Sequence, residues 1–174
     1  MIITRHINLV LNSIATLAML SGFLPMLSWS RLEGVPVPVH FDIHGAVDNV
    51  GGRGILLTLA LIGLGLYLIM LLAQIYPQMV NLRLMPRKST ISDIKSGRIL
   101  KSHRKSENPV INSAKKDLAA QLNLLLTLLL SFGANSTLSV AAGKTQTLNM
   151  WFIWTVLVLM LVCVGLALWR VYRR

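Results

Sequence analysis

Four long apolar runs dominate the chain, about Ile7 to Trp29, Ile55 to Tyr76, Leu118 to Ala141 and Leu148 to Trp169. Each is long enough for a helix to cross a hydrocarbon core, which takes roughly 20 residues. The third run is the most polar, yet Leu124-Leu125-Leu126 and Leu128-Leu129-Leu130 stand at its centre. A different pattern fills the gap between the first two runs. There Val37, Val39 and Phe41 alternate with Pro38, His40 and Asp42, the period of a short strand with one apolar face. Gly45, Asp48-Asn49 and Gly51-Gly52 follow, residue types that supply turns. The pattern predicts an all-α membrane protein with four transmembrane helices and a short structured loop over residues 30–54, built as a hairpin or strand-turn unit.

Composition agrees. Hydrophobic residues make up 54% of the chain and charged residues only 13%, too apolar a balance for an ordinary soluble domain of 174 residues. The first run is longer than a signal-peptide core of roughly 7–15 residues and lacks a small-residue cleavage site, so it is expected to remain as a span. With no large polar segment, any chemistry belongs in the bundle or its loops. The single Cys163 falls deep in the last run and is expected to be a packing residue.

The net charge of +11 tells more by its placement than by its size. Ten Lys or Arg lie between Arg83 and Lys116, with Arg170, Arg173 and Arg174 after the last run and Arg5 before the first. Only Arg31, Arg53 and Lys144 fall in the other two connections. Positive charge gathers on the cytoplasmic side of membrane proteins, which predicts cytoplasmic termini and an extracytoplasmic polar loop. The chain accordingly divides into residues 1–76, the first helix pair with its polar loop; 77–117, a basic cytoplasmic loop; and 118–174, the second helix pair with a basic end. In the basic loop Arg87, Lys88, Lys95, Arg98, Lys101, Arg104 and Lys105 are candidates to bind anionic lipid, at about 1 kcal/mol per residue near the surface, or a cytoplasmic partner. Lys95, Arg98, Lys101 and Lys105 share one helical face, as an interfacial segment would require. Nucleic acid is not an expected partner.

Within the spans, Asn8, Asn12 and Thr16 recur every four residues and share one face of the first helix. That face is expected to meet other helices, because an amide facing lipid would lack partners. Gln121, Asn123 and Asn135 bring polar atoms to the third span. Gly63 and Gly65 mark a place in the second where another backbone could come close, Pro25 is expected to kink or fray the first helix, and Pro77 to end the second. Trp151 and Trp154 at one end of the last run and Trp169 and Tyr172 at the other form an aromatic belt.

The polar loop gathers the candidate chemistry. Imidazole and carboxylate are good transition-metal ligands, so His40, His44 and Asp48 are weak candidates for a metal site. Structural hydrogen bonding of His40 and Asp48 with loop backbone is the favoured role, and no cofactor is expected. Acid-base catalysis by a histidine with Asp42 or Asp48 is the least favoured, because no nucleophile or second acid stands nearby in the sequence.

The stretch from Pro38 to Arg53 resembles the Pro-x-His-aromatic-x-x-x-Gly-x-x-Asp-x-x-Gly signature of the N-terminal domain of SdpI-like bacterial membrane proteins, through Pro38, His40, Phe41, Gly45, Asp48 and Gly51. The family often has Lys near Arg53, so the charge is kept. The resemblance covers about a third of the chain. It implies a multipass protein of the bacterial cytoplasmic (inner) membrane; the best-known member protects cells against a secreted membrane-active peptide and signals by holding a repressor at the membrane. The leading expectation is thus a binding, immunity-type or signalling factor rather than an enzyme, contacting a peptide, lipid or protein through His40, Asp42, His44, Gly45, Asp48, Gly51 and Arg53. An accessory subunit or assembly factor of a larger membrane complex is the second expectation, and a metal-dependent membrane enzyme the third.

Overall fold

The computed structural model describes residues 2–77 and 109–172. Its helices are α1 (Ile2–Ser21), α2 (Gly54–Ile75), α3 (Pro109–Ala141) and α4 (Met150–Tyr172); two short 3-10 turns, Leu24–Ser28 and Ser30–Leu32, lead from α1 into a hairpin of β1 (Val37–Phe41) and β2 (Val47–Gly51). Each of the four helical segments is long and apolar enough to cross a membrane, as expected of a multipass membrane protein.

Two boundaries depart from the apolar runs. The first run does not continue as α-helix to Trp29: α1 stops at Ser21, where the Gly22 amide is shared between the carbonyls of Ala18 and Met19 at 3.2 and 3.1 Å. Pro25 then occupies the first turn of the 3-10 segment and is buried there, a position where its missing N–H costs nothing. The third helix begins at Pro109 rather than near Leu118. Its first two turns are too polar to register as a membrane run, but a helix needs only backbone pairing, not apolarity. At the end of α2 the sequence reading holds. The last helical residue is Ile75, and Tyr76 sits at φ −116° and ψ 68° before Pro77, outside the α region that a following proline ring disfavours.

The helices alternate in direction. Asn8 near the start of α1 bonds Asp117 near the start of α3, and Asn12 bonds Gln74 near the end of α2, so these ends share one end of the bundle. The hairpin and the connection over residues 142–149 share the other. Helix α3 is the centre, packing against α1, α2 and α4, while α4 packs chiefly against α3.

The interior inverts the soluble pattern. The buried positions of α3 are Lys115, Ala119, Ala120, Asn123, Thr127, Ser131, Ala134 and Thr137, which recur at helical spacing, while the leucines between them stay only partly covered. Lipid tails are as apolar as leucine, so burying leucine gains little in a membrane; small residues let helices approach and polar ones bind across the gap. Ala15 and Ala60 answer from α1 and α2. Gly63 does not serve the expected close backbone approach: a Cβ there would lie 3.8 Å from the Leu130 side chain, and one at Gly65 would meet nothing within 4 Å.

The predicted polar face of α1 is a hydrogen-bonded seam. Asn8 Nδ2 donates to Asp117 Oδ1 at 2.7 Å, Asn12 Nδ2 to Gln74 Oε1 at 2.7 Å, and Gln74 Nε2 returns a bond to Asn12 Oδ1 at 3.2 Å. Asn123 Nδ2 approaches the same oxygen at 3.4 Å, and the Thr16 hydroxyl pairs with that of Tyr67 at 2.7 Å. Further along, the Ser131 hydroxyl donates to Ala18 O and Asn135 Nδ2 to Ser21 O at 3.0 Å.

Candidate functional site

The hairpin is built on one buried anchor. Val37 is completely buried with Leu32 and Leu56, and Met26, Val35, Ile55, Leu138 and Ala141 pack around them. This small apolar core ties the base of the hairpin to the start of α2 and the end of α3. From Val37 the two strands run antiparallel, with Val37 opposite Gly51, Pro38 opposite Val50, His40 opposite Asn49 and Phe41 opposite Val47; the register shifts on either side of His40. Gly51 lies close to its neighbour: a Cβ there would come within 2.7 Å of Val39 Cγ1, so that side chain would have to shift.

Asp42 organises the turn. Its Oδ1 accepts the amides of His44 and Ala46, both at 2.8 Å, while its own amide donates to Ala46 O at 2.9 Å and its carbonyl accepts from Gly45 N at 3.0 Å. Such a carboxylate cage is why Asp favours turns. The Ala46 amide, with smaller help from that of His44, holds the Asp42 carboxyl below the usual carboxylate range. Gly45 adopts φ +83°, and a Cβ on it would fall 2.1 Å from the Leu148 carbonyl oxygen. That closeness lets Leu148 N donate to Gly45 O at 2.7 Å, with Ala46 bridging antiparallel to Thr147. The tip of the hairpin is thereby fastened to the connection between α3 and α4.

Arg53 makes the third fastening. One guanidinium nitrogen donates to Trp29 O at 2.9 Å, the other lies 3.6 Å from Glu33 Oε1, and the guanidinium carbon sits 4.8 Å from the centre of the Trp29 ring. Sequence alone showed Arg53 as a charge; Trp29, Glu33 and Leu148 carried no signal, because their roles arise from folding.

Of the candidate residues, the structure brings together His40 and Asp48. His40 Nδ1 lies 2.6 Å from Asp48 Oδ1, and the two side chains are 67% and 48% exposed. Asp48 fixes the ring, which leaves Nε2 as the nitrogen available to an incoming group. His44 contributes its backbone amide to the turn. Among the described residues no three or more His, Cys, Asp or Glu gather in a metal-binding group, so His44 does not complete a triad with the pair. Asp42, Gly45, Gly51 and Arg53 shape and hold the loop. The basic candidates Arg87, Lys88, Lys95, Arg98, Lys101, Arg104 and Lys105 lie outside the described residues. No family model, curated protein or solved structure matches the chain.

Proposed function

We propose that the chain is a binding factor of the immunity or signalling type in the bacterial inner membrane, which recognises a partner through the exposed face of its hairpin. Supporting this reading is the contrast between how the hairpin is held and what it displays. Core packing at Val37, the Gly45–Leu148 junction and the Arg53 clamp fasten it at three places, while His40 and Asp48 remain exposed. A preorganised polar surface loses little entropy on binding. The resemblance of Pro38 to Arg53 to the SdpI-like signature suggests the class of function, and the matching residues fall on this hairpin. The charge distribution supplies the orientation, with hairpin outside and termini inside. It also suggests a second contact, between the basic segment that contains Arg87 and Lys105 and anionic lipid or a cytoplasmic regulator.

Survival of cells challenged with a membrane-active peptide tests this directly. The native chain is expected to protect, and His40→Ala with Asp48→Asn to protect less at equal membrane abundance. Equal survival with and without the protein would sink the immunity reading.

One observation favours the subunit alternative. Helix α4 is the least buried of the four spans, leaving most of its surface for lipid or another protein's helix. Purification in mild detergent distinguishes the two, since a stoichiometric partner held by α4 would favour a subunit role.

A further inference from the structure

We infer that the turn of the hairpin is a lipid anchor, with Ile43 inserted at the headgroup boundary of the leaflet on the hairpin side. The inference is independent of any partner on the His40–Asp48 face. Its first support is position. The tip bonds Leu148, two residues before α4 begins at Met150, and so lies at the level where a span enters the bilayer. It also lies at the rim, because α4 packs chiefly against α3 at the edge of the bundle. There Trp151 and Trp154, 83% and 54% exposed, are the kind of aromatic residues that settle at membrane interfaces.

The second support is the chemistry of the tip. Ile43 is 74% exposed at a turn position that ordinarily takes a polar residue. Many of the polar groups around it are paired within the protein: Asp42 N and O, the amides of His44, Gly45 and Ala46, and the Gly45 carbonyl. Even the Asp42 carboxylate is turned onto those amides. Pairing of these groups lowers the cost of taking the turn out of bulk water, and the Ile43 amide and carbonyl, which bond nothing among the described residues, stay within reach of water and headgroups at the boundary. The polar pair His40–Asp48 sits further along the strands, where it stays in water while the tip meets lipid.

Cys163 is the single cysteine of the chain, so Cys163→Ala gives a background for one introduced thiol. In that background Ile43→Cys and Asn49→Cys, each labelled with an environment-sensitive fluorophore, are reconstituted in phosphatidylcholine–phosphatidylglycerol nanodiscs. Quenching by shallow spin-labelled lipid is expected to be several-fold stronger at position 43 than at 49, and quenching by aqueous iodide to show the reverse order. Equal quenching at the two positions by either agent, or stronger iodide quenching at 43, overturns the anchor.

Discussion

The intramembrane seam and the hairpin use polar groups in opposite ways. Along α1 the amides and hydroxyls of Asn8, Asn12 and Thr16 are directed inward to Asp117, Gln74, Asn123 and Tyr67, so these bonds run between helices within the bundle. In the hairpin, Asp42 and Arg53 are likewise used to hold the chain, but His40 and Asp48 pair on an exposed surface. In lipid an unpaired polar atom costs several kcal/mol, about what decides a fold; in water the same group is solvated at no penalty. Polarity inside the membrane therefore reports architecture here, and polarity outside it is free to serve recognition.

That contrast can be broken from either side. The largest effect is expected from Gly45→Val, which forces a β-branched residue to φ +83° and into the Leu148 carbonyl. Strain plus the lost bond should cost roughly 3 kcal/mol, seen as proteolytic opening of the hairpin while the seam stays intact. Next, Asn12→Ala removes the bonds to Gln74 and Asn123. Interhelical bonds in membranes average about 0.6 kcal/mol each, so a loss of about 1–2 kcal/mol is expected in denaturing-detergent titrations. Arg53→Met should cost about 1 kcal/mol through the Trp29 carbonyl and ring, read as a lower Tm.

A pH titration sharpens the hairpin side. Because the folded Asp42 carboxyl lies below its ordinary value, its ionised form stabilises the turn above the unfolded pKa of about 3.9, and that contribution is lost as pH falls through the folded value. Protection of the His44 and Ala46 amides from hydrogen exchange should decline over that acid window, and Asp42→Asn should abolish the pH dependence. The smallest effect on stability is expected from His40→Ala, within about 0.5 kcal/mol, since a solvent-exposed histidine–carboxylate contact contributes little. A larger loss in unfolding titrations would make the pair structural and remove it from the proposed recognition surface.

Much of this architecture was legible in the sequence. The spans follow from apolar length, the Asn8–Asn12–Thr16 face from its spacing, and β1 from the alternation around His40. The partners of that face were not legible, because Gln74, Tyr67 and Asp117 meet it only once α2 and α3 are packed beside α1. The end of α1 at Ser21 and the start of α3 at Pro109 were hidden for a related reason: apolar runs mark where lipid is, and helices need not begin or end there. In the site, His40 and Asp48 were visible as reactive side chains. The need for glycine at position 45 was visible only as turn chemistry, while its closest neighbour, Leu148, is brought to it by the tertiary fold.

The Gly45–Leu148 junction also has a place in time. A ribosome makes the hairpin well before Leu148, so its tip stays undocked until the connection over residues 142–149 has been made as well. Closure of the junction therefore couples the first helix pair to the second, and a chain stalled before Leu148 would leave the hairpin tip without its docking partner.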